Sequence, residues 1–154
     1  MAGLTRRQFG LFTGASAGAL MLPTYLRAQG KPRVVVIGGG AGGATAARYI
    51  AKDSDGAIDV TLIDDAEMFT TCFFSNLYVG GFRSFESITH SYDTLQSSYG
   101  ITKVTGRAVK VDRETKTVMM ADGASVPYDR LVVSPGIDLI WDSVEGYSEE
   151  LAEI

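Results

Sequence analysis

The sequence predicts an α/β fold built on a parallel β-sheet, with a small antiparallel β segment inserted into the chain. Two short apolar runs, at residues 34–37 and 58–63, enclose a glycine cluster and an alanine-rich stretch. A third apolar run follows much later, at residues 131–133. The first run, VVVI, is continuously apolar and rich in β-branched residues, which is typical of a strand buried on both faces of a parallel sheet. The length of 154 residues is about that of one domain.

The first 28 residues have the layout of a secretory signal peptide. The paired arginines Arg6 and Arg7 are followed by Phe9, an apolar segment at residues 10–22 and the small residue Ala28. The apolar segment is too short to span a bilayer comfortably, and the paired arginines resemble a twin-arginine signal. We therefore expect export to the periplasm, cleavage near Ala28 and a mature chain without a transmembrane segment. An amphipathic or anchoring helix is the alternative.

The glycine cluster GGGAGG at residues 38–43 directly follows the first predicted strand. Gly38, Gly40 and Gly43 fit the pattern G-x-G-x-x-G. In this pattern the first glycine permits a tight turn, the second lets the backbone approach a pyrophosphate, and the third lets the helix pack closely on the strand. The helix predicted over residues 44–51 would present free N–H groups and a partial positive charge to the phosphates.

Two further features belong to the carboxyl edge of the same predicted sheet. Asp64 closes the second strand, where an acid can accept hydrogen bonds from ribose hydroxyls. Pro135 and Gly136 end the last apolar run and form a second turn at the edge where open α/β folds bind ligands. Together these features predict a Rossmann-like dinucleotide-binding unit. A glycine-rich turn in an unrelated α/β fold is the alternative.

The region between the second and the last strand predicts short helices and a meander. Residues 92–100 are expected to form a short helix, with Asp93 as a possible cap and Gly100 as its stop. Partly alternating stretches between residues 101 and 126 predict a small antiparallel meander.

Composition and charge exclude several classes of function. The net charge is −4 and no basic stripe follows the N-terminus, so nucleic-acid binding is not expected. One cysteine rules out an internal disulfide and a multi-cysteine zinc site. The single histidine, His90, makes a histidine-based metal centre improbable and is expected to be structural.

The single cysteine, Cys72, lies in the stretch FTTCFFSN at residues 69–76. A lone thiol in an oxidising compartment needs protection or a use. Three interpretations stay open: an attachment point for a cofactor, a redox thiol that cycles to sulfenic acid, and a plain buried cysteine.

The order of GGGAGG, an acid-ended strand and YDRLVVSPG resembles the FAD-binding half of the two-dinucleotide disulfide oxidoreductases. In those proteins the FAD unit comes first, and the third element usually ends in Ala-Thr-Gly, where this chain has SPG. With CFFSN, ITHSYDTL, SPGI and EGYSEE added, the chain resembles one branch over nearly its whole length. That branch is the flavin-binding subunit of flavocytochrome c sulfide dehydrogenases. On this resemblance, residues 31–154 are the N-terminal part of an FAD-binding domain that is incomplete in this chain.

The resemblance implies an FAD site formed by the residues already singled out, together with Ala108, whose backbone would meet the adenine. Cys72 matches the cysteine that forms a thioether to the flavin in this family. The implied cofactor-binding residues are Gly38, Gly40, Gly43, Asp64, Cys72, Ala108, Pro135 and Gly136.

The resemblance further implies an exported FAD-dependent oxidoreductase that passes electrons from reduced sulfur compounds, through the flavin, to a c-type cytochrome subunit. The substrate would be a small inorganic sulfur compound. The redox-active disulfide of the family needs two cysteines, which would lie beyond Ile154, so no catalytic residue is expected in this chain and it should be inactive alone. Two alternatives are a sulfide:quinone-type or generic disulfide oxidoreductase, and a non-catalytic flavoprotein partner of a sulfur-oxidation complex.

Overall fold

The structure is a computed structural model that describes residues 30–138, 140–148 and 150. The predicted signal peptide, residues 1–28, lies outside the described residues. The elements follow one another as strand β1 (Arg33–Ile37), helix α1 (Ala41–Asp53), strands β2 (Asp59–Asp64) and β3 (Met68–Thr70), helix α2 (Ser75–Val79), a 3-10 turn (Phe85–Ile88), strand β4 (Thr89–Ser91), helix α3 (Asp93–Tyr99), and strands β5 (Thr102–Thr105), β6 (Ala108–Asp112), β7 (Thr117–Met120), β8 (Ser125–Pro127) and β9 (Arg130–Val133).

A parallel sheet with strand order β5-β2-β1-β9 forms the centre of the fold. Its central strand β1 aligns Val35 with Thr61 on one side and with Leu131 on the other. The side chains of β1 alternate between the two faces. Val34 and Val36 pack with α1 on one face, whereas Val35 packs with the meander on the other. The continuous apolar run therefore marks a strand covered on both sides, as the sequence predicted.

Strands β6, β7 and β8 form the antiparallel meander that covers the second face of the sheet. Val118 and Met120 of β7 and Tyr128 belong to the buried cluster on that face. The prediction of an inserted antiparallel meander is confirmed for these three strands.

The prediction was wrong for residues 101–104, which were assigned to the meander. Strand β5 instead pairs parallel with β2 at the edge of the main sheet. Helix α3 returns the chain to the amino end of the sheet, and a strand that follows such a crossover runs parallel to the strand before it. The short sequence TKVT has no signal that separates the two kinds of pairing.

Helix α3 ends as predicted but begins differently. Gly100 is left-handed, with φ of +64°, and closes the helix. Asp93 is the first helical residue and not the cap, since Tyr92 holds the cap position without a side-chain hydrogen bond. The Asp93 carboxylate accepts a hydrogen bond from Ser91 Oγ at 2.9 Å instead. Across the described part of the chain, the model has no helix long and apolar enough to cross a bilayer.

Candidate functional site

The carboxyl ends of β1, β2 and β9 meet at one edge of the sheet and enclose a cleft of about 550 Å³. Parallel pairing places these three ends side by side, which is why residues far apart in sequence converge there. The structure brings together five of the predicted site residues in this cleft, namely Gly38, Asp64, Ala108, Pro135 and Gly136.

Gly38 and Gly43 are required by packing within the protein itself. Gly38 has a φ of +98°, and a Cβ added there would lie 1.9 Å from the carbonyl oxygen of Ser134. A Cβ on Gly43 would lie 1.8 Å from the carbonyl oxygen of Gly38. The missing side chain of Gly38 therefore permits the turn after β1, and that of Gly43 lets α1 pack closely on this turn, as the glycine pattern predicted.

Gly40 differs from these two glycines because the protein leaves room for a side chain there. A Cβ on Gly40 would meet a ring carbon of Phe69 at 3.6 Å, an ordinary contact. Gly40 is the N-cap of α1, where no side chain caps the helix and the first turn carries no acidic residue. The N-terminus of a 13-residue helix therefore stays open and electrostatically positive, which suits the approach of a pyrophosphate.

Asp64 is held by two backbone N–H groups, one on each carboxylate oxygen. Oδ2 accepts a hydrogen bond from Gly39 N–H, and Oδ1 accepts one from Ala66 N–H at 2.9 Å. A carboxylate has about four lone-pair positions, so both oxygens can still accept hydrogen bonds from ribose hydroxyls. The carboxylate is thus oriented before a ligand arrives.

The far wall of the cleft includes residues that the sequence analysis did not single out. Gly106 and Arg107 follow the end of β5 and line the cleft beside Ala108. The pairing of β6 with β7 shifts by one residue between Ala108 and Lys110, and such a bulge re-aims the strand locally. Gly106 directly follows the end of β5, and a glycine in that position is a signal for a site residue. The signal is missed when β5 is predicted to belong to the meander and not to the main sheet.

Cys72 is exposed, so the interpretation as a plain buried cysteine is wrong. Its loop is held from below by Thr71, which is buried and accepts a hydrogen bond from Phe73 N–H at 3.1 Å. Phe74 has a φ of +67°, a left-handed conformation that is strained for a bulky residue. The fold therefore holds the thiol on the outside of a constrained turn between β3 and α2.

A second cavity, of about 430 Å³, lies beside this turn. Ala41 and Thr45 of α1 line it together with Thr71 and Phe73, the two neighbours of Cys72 in the sequence. His90, which the sequence predicts to be structural, lines the same cavity from β4. The start of α1 therefore lines the cavity bordered by the cysteine loop, whereas the cleft that contains Asp64 is lined by Gly38, at the beginning of the glycine cluster.

The arrangement fits an elongated dinucleotide cofactor such as FAD. The cleft offers a carboxylate and backbone surfaces suited to a ribose and an adenine. The second cavity offers aromatic side chains, and the exposed Cys72 lies between two of its lining residues in the sequence. Among the residues that the structure describes, no three His, Cys, Asp or Glu side chains are grouped closely enough to hold a metal ion.

Comparison with known proteins agrees with this geometry. A model of the family described as "Pyridine nucleotide-disulphide oxidoreductase" matches residues 32–151. The sulfide-quinone reductase of Aquifex aeolicus is 34% identical over 122 residues, which are 79% of this chain and 28% of that protein. The flavoprotein chain of the sulfide dehydrogenase (flavocytochrome c) of Chlorobaculum thiosulfatiphilum is 53% identical over 47 residues, which are 30% of this chain and 96% of that sequence.

A solved structure shares the architecture as well. The sulfide:quinone oxidoreductase of Aquifex aeolicus matches with a TM-score of 0.64 at 31% identity, covering 71% of this chain and 25% of that chain. This chain spans about a quarter of the length of the relatives that match it over most of its own length.

Proposed function

The chain belongs to the pyridine nucleotide-disulphide oxidoreductase family, whose members bind FAD, and we propose that it forms the flavin-binding part of an exported sulfide dehydrogenase of the flavocytochrome c type. The observation that carries this proposal is the position of Cys72. An exposed thiol lies in a constrained aromatic turn whose neighbouring residues line a cavity together with the start of α1. That is where a thiol must lie if it is to attach a cofactor whose phosphates rest on the same helix.

The residues of this chain would bind and orient the cofactor. The open start of α1 and the bare backbone of Gly40 receive the pyrophosphate. Asp64 holds the ribose, while the backbone near Ala108 and Gly136 borders the adenine. FAD, when bound, can accept an electron pair from sulfur and pass single electrons to a haem or quinone.

The wider reaction is proposed from the relatives. Three similar proteins carry sulfide in their names, and one of them is the flavoprotein chain of a flavocytochrome c. We infer a small inorganic sulfur compound as substrate, a redox-active disulfide contributed by cysteines outside this chain, and a c-type cytochrome as electron acceptor. The proposed site of action is the periplasm, reached through the twin-arginine signal.

The role of Cys72 is to fix the flavin covalently. Its Sγ would hold the flavin through a thioether to the 8α carbon, which replaces one thiol hydrogen and one carbon-bound hydrogen. This attachment would be a net loss of two protons and two electrons, and the enzyme's electron acceptor would take up the electrons. A cofactor attached in this way cannot be lost outside the cytoplasm.

The test is retention of flavin by the denatured full-length protein. We expect the intact mass to exceed that of the polypeptide by one FAD less two hydrogen atoms, and the denatured band to fluoresce in a gel. Cys72→Ser should lose both signals. Ser75→Ala is the matched control in the same turn, since Ser75 contacts the cysteine through its backbone N–H, which the substitution keeps. Flavin that washes out of the wild-type protein would contradict the covalent attachment.

A quinone-linked sulfide oxidoreductase is the second candidate. The similarity to the Aquifex aeolicus sulfide-quinone reductase extends over 79% of this chain, a longer stretch than the similarity to the flavocytochrome chain. The two candidates differ in their electron acceptor. Reduction of cytochrome c by sulfide with the full-length protein favours the first, and reduction of a soluble quinone analogue without cytochrome reduction favours the second.

A further inference from the structure

We propose that Tyr92 and Lys103 are positioning residues that set the glycine-rich loop and Asp64 in the geometry that binds FAD. They hold these groups through a closed ring of contacts that runs from Tyr92 to Gly39, Asp64, Lys103 and back to Tyr92. The inference rests on FAD binding at this site, as in the proposed function, and adds two residues that lie behind it.

Tyr92 holds the loop from below. It precedes α3 and is buried, with 5% of its surface exposed. Its Oη donates a hydrogen bond to the carbonyl oxygen of Gly39 at 3.1 Å. A Cβ on Gly39 would lie 2.3 Å from that Oη, so the second glycine of the cluster is bare because the tyrosine hydroxyl occupies the space.

The bond from Tyr92 also determines which way the next N–H points. The carbonyl of Gly39 and the N–H of Gly40 belong to one planar trans peptide, in which the two groups point in opposite directions. A carbonyl drawn inward to Tyr92 turns the N–H of Gly40 outward at the start of α1. That N–H is one of the donors that a pyrophosphate would meet.

Lys103 holds Asp64 in the same manner. Its Nζ donates a hydrogen bond to the backbone carbonyl of Asp64 at 2.7 Å. The same ammonium lies 5.0 Å from the centre of the Tyr92 ring, a distance at which a cation is attracted to an aromatic face. Gly39 N–H donates to the Asp64 carboxylate and closes the ring.

The electrostatics of this cluster keep Tyr92 a hydrogen-bond donor. Burial, together with the negative charges of Asp64 and Asp65, raises the pKa of Tyr92 to about 12. The hydroxyl therefore stays protonated throughout the pH range in which the protein would work. Partial burial lowers the pKa of Lys103, and the neighbouring acids oppose that shift.

These contacts prepare the site before the cofactor binds. A loop that is already fixed loses less conformational freedom on binding, and this raises affinity without a new contact to the ligand. Removal of the Tyr92 hydroxyl should weaken FAD binding about tenfold, because the Gly39 carbonyl loses its partner and the loop can turn in the cofactor-free protein.

The experiment measures the FAD dissociation constant in the full-length protein carrying Cys72→Ser, so that the flavin binds reversibly. Tyr92→Phe keeps the ring and its packing but removes the donor. Lys103→Met keeps the stem and removes the charge. Tyr99→Phe, at the other end of α3, is the matched control, since its hydroxyl accepts a hydrogen bond from Arg48 Nε at 3.0 Å, away from the glycine loop.

We expect Tyr92→Phe and Lys103→Met each to weaken FAD binding, whereas Tyr99→Phe binds like its parent. Thermal unfolding without FAD separates a structural role from a positioning role. If Tyr92→Phe and Lys103→Met unfold at a lower temperature but bind FAD as tightly as the parent, the inference is overturned and the proposed function stands. If the parent with Cys72→Ser binds no FAD, the inference fails, and the intact mass of the wild-type protein decides the proposed function separately.

Discussion

The glycines of GGGAGG differ in what their missing side chains make room for. The protein itself fills the space beside Gly38, Gly39 and Gly43, with the Ser134 carbonyl, the Tyr92 hydroxyl and the Gly38 carbonyl respectively. The space beside Gly40 is left open, at the start of α1. At the scale of single residues, three of these four glycines therefore serve the packing of the fold, and Gly40 leaves room for a ligand.

This difference predicts opposite effects of two alanine substitutions. Gly43→Ala should lower the free energy of unfolding of the cofactor-free protein by about 1–3 kcal/mol, as overpacking does. Gly40→Ala should lower it by less than about 1 kcal/mol, the cost of a poorer N-cap. Gly40→Ala should instead weaken FAD binding tenfold or more, about 1.4 kcal/mol, because the methyl group stands where the pyrophosphate approaches.

Chemical denaturation and flavin titration of the full-length protein, again with Cys72→Ser, measure both quantities. Equal FAD affinity of Gly40→Ala and the parent would show that the pyrophosphate does not lie at the start of α1. Equal stability of Gly43→Ala and the parent would show that the helix can move away from the turn.

At the scale of elements, one ion pair joins the amino ends of β1 and β9. The Asp129 carboxylate accepts a hydrogen bond from the backbone N–H of Arg33 at 2.7 Å. Its two oxygens also accept one hydrogen bond each from the Arg33 guanidinium, both at 3.3 Å. The hydrogen bonds from Arg33 hold the pKa of Asp129 below its usual value of 3.8. The pair therefore fixes β9 at the edge of the sheet, far from the cleft that its other end lines.

The sign of the pH effect follows from that lowered pKa. The pair adds stability above the unfolded-state pKa of an aspartate, and this contribution is lost as the pH falls through the lower folded-state pKa. Asp129→Asn should unfold at a lower temperature than wild type at pH 7, and the difference should shrink as the pH drops below about 4.

Asp59→Asn is the matched control for this prediction. Asp59 pairs with Lys31 at 3.9 Å with both side chains mostly exposed, and such pairs contribute little. Thermal unfolding of the full-length variants across pH 2–7 measures both differences. A gap between wild type and Asp129→Asn that is as large at pH 2 as at pH 7 would contradict the role of this ion pair.

At the scale of the whole molecule, the glycine-rich loop connects the two concave regions. Gly38 lines the cleft with Asp64, and Ala41, three residues later at the start of α1, lines the cavity beside the cysteine turn. A cofactor that spans both would be bound before export if the leader is a twin-arginine signal, since that route carries folded proteins.

Export by this route predicts the effect of changing the paired arginines. Replacement of Arg6 and Arg7 by lysine in the full-length protein should leave the flavoprotein in the cytoplasm, because the signal is read through its arginine pair. Arg27→Lys, near the expected cleavage point, is the control and should be exported. Cell fractionation followed by immunoblotting measures the distribution. A periplasmic Arg6→Lys, Arg7→Lys variant would contradict the twin-arginine route.

Much of the fold could be predicted because it depends on local patterns. The β-branched runs at β1 and β2, the glycine cluster between them and Asp64 at the end of β2 each specify an element or a turn through short-range sterics and periodicity. Gly38, Asp64 and Gly136 lie at or just after the carboxyl ends of three strands. Because these strands are parallel, the same signals also predict that the three residues lie at one edge of the sheet.

The tertiary structure decided what depends on contacts between distant segments. The partner of β5 follows from the crossover through α3, and the exposure of Cys72 follows from how its turn packs on Thr71. Tyr92 lies 53 residues from Gly39 in the sequence. No local pattern relates a tyrosine to a glycine at that separation, because their contact exists only once the residue before α3 packs against the glycine-rich loop.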